Sequence, residues 1–118
     1  MFEKMAESSK NVLGYKAIGT ISASDYEVLD SEVKALIHLE GKIRMLLDMT
    51  EFKWEKVEAW LPDLKFGHEF HHQIEKMAIV GDKSWEKWIT HLAKYAYASD
   101  AKFFHSADIS KAWAWLRE

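Results

Sequence analysis

The 118-residue chain contains no cysteine, a single proline and five glycines, and each scarcity narrows what it can be. Without cysteine there is no disulfide framework, thiolate zinc site, iron–sulfur centre or cysteine nucleophile. With so little proline and glycine there is no linker or low-complexity tract, and no internal repeat is visible. No apolar run approaches the ~20 residues that a membrane-spanning helix needs. The opening Met1-Phe2-Glu3-Lys4-Met5 also lacks the apolar core of a signal peptide. Positive charge is not clustered: sixteen Lys and Arg face nineteen Asp and Glu, a net charge of −3, which removes nucleic acid as a partner. A cytoplasmic location is the simplest expectation.

What remains is a soluble composition, 48% hydrophobic and 30% charged, of a length that fits one domain over residues 1–118. Aromatics are abundant at 14%, with six Trp, six Phe and four Tyr, more than a small domain readily buries.

Two apolar runs, Ile43-Arg44-Met45-Leu46-Leu47-Asp48 and Met77-Ala78-Ile79-Val80-Gly81-Asp82, each stop at an aspartate and lead into a tryptophan-containing amphipathic stretch. That is the strand-to-helix handover of an α/β sheet, since buried parallel strands read as continuous hydrophobic runs. Ahead of them, Phe2–Glu7 and Val12–Ile18 read as a hairpin joined through Ser8-Ser9-Lys10-Asn11. Ser24 and Glu27 form a capping box that opens a first helix, with Tyr26, Leu29, Val33, Leu36 and Ile37 on one face and Gly41 at its far end.

After the strand Ile43–Met49, a second helix is expected from Trp54 to about His72, bent or broken near Pro62. The strand Met77–Val80 leads to a third helix starting around Asp82–Ser84. Ala101–Phe104 is a short last strand, and Ser106 caps a final helix carrying Ile109, Ala112, Trp113 and Leu116. The expected order is β-β-α-β-α-β-α-β-α: an α/β domain with a mixed sheet of about five strands, an N-terminal hairpin and about four helices.

Four segments in this order, Gly41–Asp48, Asp63-Leu64-Lys65-Phe66-Gly67, Ile79–Trp85 and Ala114-Trp115-Leu116-Arg117, resemble the SpoIIAA-like family. That family shares its architecture with STAS domains and Sec14-type (CRAL-TRIO) lipid-transfer domains, and the likeness spans essentially the whole chain. The resemblance implies the fold; it carries no settled activity. It also has a gap. Where STAS-type anti-sigma-factor antagonists carry a phosphorylatable serine, this chain reads Asp48-Met49-Thr50-Glu51-Phe52-Lys53-Trp54. Thr50 is the nearest hydroxyl, and Glu51 beside it opposes a phosphate electrostatically.

His68-Glu69-Phe70-His71-His72 matches H-E-x-x-H, the zinc-and-base pattern of metalloproteases. A zincin also needs a third protein ligand and a cleft, and Glu86, the nearest candidate, falls behind a different strand. The match reads as a coincidence on a histidine-rich helix end, so no metal, cofactor or catalytic residue is assigned. A nucleophile elbow and a glycine-rich phosphate loop are both missing.

The second helix is the better lead. Trp54, Val57, Trp60, Leu61 and Leu64 form a stripe facing the sheet, while Ala59, Phe66 and Phe70 lie on roughly the opposite side, near where Phe52 would project from an earlier start. Pro62 leaves a second phase open, in which Phe66 and Phe70 turn into the core. In the first phase this helix covers an apolar pocket. Phe52, Trp54, Trp60, Leu64, Phe66 and Phe70 would line it, with Lys65 or the turn Asp82-Lys83-Ser84 at a polar head. The reading is non-catalytic binding of an apolar or amphipathic, lipid-like small molecule, with weak peripheral contact at the inner face of the membrane. The alternative is a STAS-type protein-interaction or regulatory module, docking a partner or a second copy of the chain.

Overall fold

The computed structural model describes residues 1–55, 65–66, 69–70, 72–82, 98 and 100–118. Its strands are β1 (Phe2–Lys4), β2 (Val12–Ile21), β3 (Ile43–Glu55), β4 (Ile74–Gly81) and β5 (Asp100–His105). Helix α1 (Ala23–Glu40) joins β2 to β3, and a 3₁₀ turn (Ser106–Asp108) leads from β5 into helix α2 (Ile109–Arg117). The strands lie side by side in chain order. β1 is antiparallel to β2, and every later pair is parallel.

This is the mixed five-stranded sheet with an N-terminal hairpin that the patterning predicts, with two α-helices among the described residues. Third-helix residues 83–97 lie outside the described set, as do most of those expected in the second helix.

The hairpin closes where serine and asparagine chemistry favours it. Ser9 and Val12 exchange backbone hydrogen bonds of 2.9 and 3.0 Å, Lys10 takes a left-handed φ of 54°, and the Ser8 hydroxyl accepts the Gly14 N–H at 2.9 Å. β1 is shorter than Phe2–Glu7, because this turn-and-bridge region consumes the residues from Met5 onward.

Helix α1 starts two residues earlier than the Ser24–Glu27 box would place it. Ser22 is the N-cap, and the Asp25 carboxylate accepts its backbone N–H at 2.8 Å and its hydroxyl at 2.9 Å. Burial pushes the Asp25 carboxyl up, but the Ser22 donors and the neighbouring α-ammonium (3.2 Å) outweigh it and hold the carboxyl below its usual range. A depressed carboxyl contributes stability above its ordinary value near pH 4, lost as the pH falls through its lower folded-state value. Asp25→Asn is therefore expected to cost about 1 kcal/mol at neutral pH and to shrink the acid-induced loss below about pH 4. Urea melts of both proteins from neutral to acid pH check this.

Gly41 ends the helix with φ 85°, donating its N–H to the Ile37 carbonyl at 2.7 Å. Only glycine holds that conformation without strain.

Parallel strands laid down successively in one direction, with right-handed crossovers, put all their connections on one face of the sheet. Leu29 and Val33 of α1, Phe66, Phe70 and Ala98 accordingly share one buried cluster with Leu13, Tyr15, Met45 and Met77. Helix α2 returns across the opposite face, where Ala112, Trp113 and Leu116 pack on Val12, Leu46, Ala78 and Val80. Its last carbonyls are captured by cations from the starts of β3 and β4. Arg44 Nη1 donates to Leu116 O (2.6 Å) and Glu118 O (2.7 Å), and Lys76 Nζ to Trp115 O (3.0 Å). These bonds satisfy groups that a helix end leaves unpaired and place positive charge at the negative end of its dipole.

The principal correction concerns β3. It runs to Glu55, so Phe52 and Trp54 belong to a strand and not to the second helix or its approach. Phe66 and Phe70 are 5% and 4% exposed, with their rings 4.9 Å apart, and Phe66 lies 6.4 Å from Tyr26. They occupy the second of the two phases that Pro62 left open. An outer apolar face built from Phe52, Phe66 and Phe70 does not exist, since all three side chains sit in the core beside α1. β2, β4 and β5 also run longer than expected, to Ile21, from Ile74 and over Asp100–His105. Ser106 opens the 3₁₀ turn and does not cap α2.

Candidate functional site

Open α/β sheets bind their ligands beyond the carboxyl ends of the strands, and here that rim is uneven. The last registered pair between β3 and β4 is Asp48 with Val80. Among the described residues β3 then continues beside β2 alone, to the pair Ile21 with Glu55, so a two-stranded ribbon projects past β4.

Two register shifts shape the ribbon, one between Lys16 and Ile18 and one between Gly19 and Thr20. At the first, Met49 and Thr50 stand opposite Ala17; at the second, Lys53 is the extra residue. Bulges bend a strand, raise its twist and re-aim side chains, which physically accounts for β3 leaving β4 here.

Two pairs of polar groups at this rim satisfy one another. Asp48 is the one buried charged residue among those described, 5% exposed. Its Oδ1 accepts the Thr50 N–H at 3.0 Å and the Thr50 hydroxyl at 2.7 Å. Lys16, from the facing position on β2, forms an ion pair with Glu51. The hydrogen bond to Glu51 and that carboxylate's charge raise the Lys16 ammonium above its ordinary value, with smaller help from Asp48 and Glu3. A lysine held protonated is the opposite of what nucleophilic or Schiff-base chemistry requires. Thr50, Glu51 and Lys53 are exposed, as are Asp82 beyond the end of β4 and His105 at the end of β5. The arrangement presents a charged and hydroxylated surface suited to recognition.

The described residues of the proposed pocket differ in burial. Phe52, Phe66 and Phe70 share the core on the α1 face, while Asp82 lies on the rim and Lys65 is exposed. Trp54 is placed on β3 by its backbone. Trp60, Leu64, Lys83 and Ser84 lie outside the described residues, so the sequence-based placement of these four stands as an expectation. Of the H-E-x-x-H segment, Glu69 pairs with Lys34 at 3.2 Å and His72 is exposed in a turn; His68 and His71 lie outside the described set. Among the described residues no group of three His, Cys, Asp or Glu is placed to hold a metal ion. No described helix is long and apolar enough to cross a membrane.

Lys16 is the site residue that sequence reasoning missed. Its signal was present: it is the single charge inside the otherwise apolar run from Val12 to Ile18.

Comparison with known proteins agrees with this architecture. The SpoIIAA-like family model matches residues 12–117, and the chain belongs to that family. A protein of the DUF3478 family with a SpoIIAA-like fold, from Shewanella loihica PV-4, is 25% identical, with a TM-score of 0.78 over 98% of this chain and 92% of that one. The anti-sigma factor antagonist SpoIIAA in its unphosphorylated form has the same fold, with a TM-score of 0.58 over 78% of this chain and 83% of its own at 6% identity. No curated protein sequence matches the chain.

Proposed function

We propose that this member of the SpoIIAA-like family is a non-catalytic protein-interaction module, which docks its partner on the carboxyl rim around Asp48, Thr50, Glu51 and Lys53. One observation carries the reading: the β2–β3 ribbon projects past β4 and presents polar side chains held in place by one another, Lys16 by its ion pair with Glu51 and the Thr50 hydroxyl by its hydrogen bond to Asp48. Groups held in fixed geometry in this way suit recognition of a complementary surface. The fold neighbour described as an anti-sigma factor antagonist acts on a protein, which supports a partner of the same class here.

A second reading, an apolar or amphipathic ligand on the α1 face, retains one supporting observation. The Tyr15 hydroxyl is buried without a hydrogen-bond partner among the described residues, and its ring lies 6.4 Å from Phe2 in the cluster that includes Tyr26 and Phe66. A buried unpaired hydroxyl costs about 1–3 kcal/mol, and an amphiphile's polar group would relieve it.

Photo-crosslinking residues at positions 50 and 53, with position 39 on α1 as control, test the first reading in the native host. One protein crosslinked at the rim and not at the control is expected, and Glu51→Lys should weaken its binding about tenfold, near 1.4 kcal/mol. Crosslinking that is equal at all three positions rejects the rim. Native mass spectrometry showing a stoichiometric small molecule, released by Tyr15→Phe, would favour the second reading.

A further inference from the structure

β5 ends the sheet, and among the described residues nothing pairs with its outer edge. Folded proteins blunt such edges with short strands, proline, bulges or charge, because an open edge recruits another strand. β1, at the opposite end, is blunted: it has three residues, with Glu3 and Lys4 exposed. β5 is blunted less: it carries Asp100 and Lys102, but it runs for six residues, holds unbroken register with β4 from Asp100 to His105 and contains no proline. Asp100, Ala101, Lys102 and His105 are exposed, with Phe103 and Phe104 half-buried between them.

The sequence of β5 is complementary to itself. In an antiparallel pairing about a two-fold axis perpendicular to the sheet, opposed side chains share a face, so opposed positions differ by an even number. Two registers then align nearly the whole strand. Centring on Lys102 sets that ammonium directly against its own copy, which is repulsive. Centring on Phe103 sets Phe103 against its copy on the α1 face, Ala101 against His105 of the second copy, and Lys102 against Phe104 of the second copy on the α2 face. Lys102 Nζ already stands 5.3 Å from its own Phe104 ring and 6.0 Å from Trp115, while Lys76 Nζ lies 5.0 Å from the Trp115 ring. The Phe103-centred register extends this row of cations and rings across the axis, with each contact contributing attraction.

We infer that two copies of this chain join edge to edge through β5, antiparallel and centred on Phe103, forming one continuous sheet. This surface lies apart from the β2–β3 ribbon, so it stands or falls independently of the rim reading.

The absence of native cysteine makes introduced thiols unambiguous probes. Sedimentation of the unmodified protein is expected to show a monomer–dimer equilibrium with a dissociation constant of roughly 1–100 µM. Under mild oxidation, the Ala101→Cys/His105→Cys double variant should form a covalent dimer, because opposed Cα atoms in such a pair lie about 4.5–5.5 Å apart, within disulfide reach. Each single variant, and Lys102→Cys, should remain monomeric on denaturing gels. Both paired positions are exposed, so the substitutions leave the core intact. A protein that stays monomeric to about 1 mM, about tenfold above that range, overturns the inference. So does a dimer in which the cysteine pair fails to crosslink, or in which Lys102→Cys crosslinks instead.

Discussion

Replacing Gly14 by alanine is expected to destabilise the protein by about 3 kcal/mol. A Cβ at this position would stand 2.3 Å from Trp113 Cη2 and 2.9 Å from Cζ2, with Met5 Sδ at 3.4 Å. Those separations are shorter than carbon atoms tolerate, so the indole must move. It has little freedom to do so: Trp113 is 7% exposed, the Arg117 guanidinium lies 5.1 Å from its ring, and Arg117 donates to Glu7 O at 2.7 Å. Displacing the ring therefore lifts α2 from the sheet or breaks its tie to the hairpin.

At roughly 4–8 °C per kcal/mol for a domain near this size, the thermal midpoint should fall by at least 10 °C. Trp113→Phe removes the edge of the ring that Cβ would strike, at a cost of about 2 kcal/mol in lost packing. The double variant should then cost about 1 kcal/mol less than the sum of the two single changes, because the second substitution relieves the first. Strict additivity in urea melts, or a neutral Gly14→Ala, would show that Trp113 does not rest on this glycine. A glycine in a strand interior is a known mark of close approach, so the contact had a sequence signal even though its partner, about a hundred residues away, had none.

The same contrast runs through the rest of the molecule. Ile43–Leu47 and Met77–Val80 were legible because both faces of a central parallel strand are covered, which leaves an apolar run that tolerates little else. Where β3 leaves that environment its pattern changes to alternation, with Glu51, Lys53 and Glu55 interleaved by Phe52 and Trp54. Alternation is a strand signal, but the helical spacing of Trp54, Val57, Trp60 and Leu61 overlaps it at Trp54 and pulled the boundary toward a helix. The start of α1 was a similar competition. Ser22 with Asp25 and Ser24 with Glu27 both satisfy the capping pattern, and Asp25 prevails while also reaching the α-ammonium. The rim was the least legible part. Lys16 could be recognised as a charge needing a partner, but two bulges determine that the partner is Glu51, and bulges shift register in a way no periodicity reveals.

Alanine at both Phe66 and Phe70 is expected to unfold the protein at room temperature. Each truncation removes a side chain at most 5% exposed and leaves a cavity, a loss of about 3–5 kcal/mol per site. The two rings touch, so the losses do not add strictly, yet about 6 kcal/mol already reaches the lower end of the total stability of a small domain. Circular dichroism and urea titration of the two single variants and the double variant measure this directly. Were these rings on an outer face, waiting to enter a membrane or cover a ligand, each change would instead fall within about 0.5 kcal/mol, as exposed substitutions do. The two outcomes differ by an order of magnitude, so the measurement also decides what a binding experiment can mean. A double variant that has lost its fold cannot report on lipid binding, and the exposed Lys65 becomes the proper probe of a polar headgroup at this end of the molecule. A double variant that keeps its fold and most of its stability would show that these rings are not part of the core, and would put the amphiphile reading ahead of the protein partner.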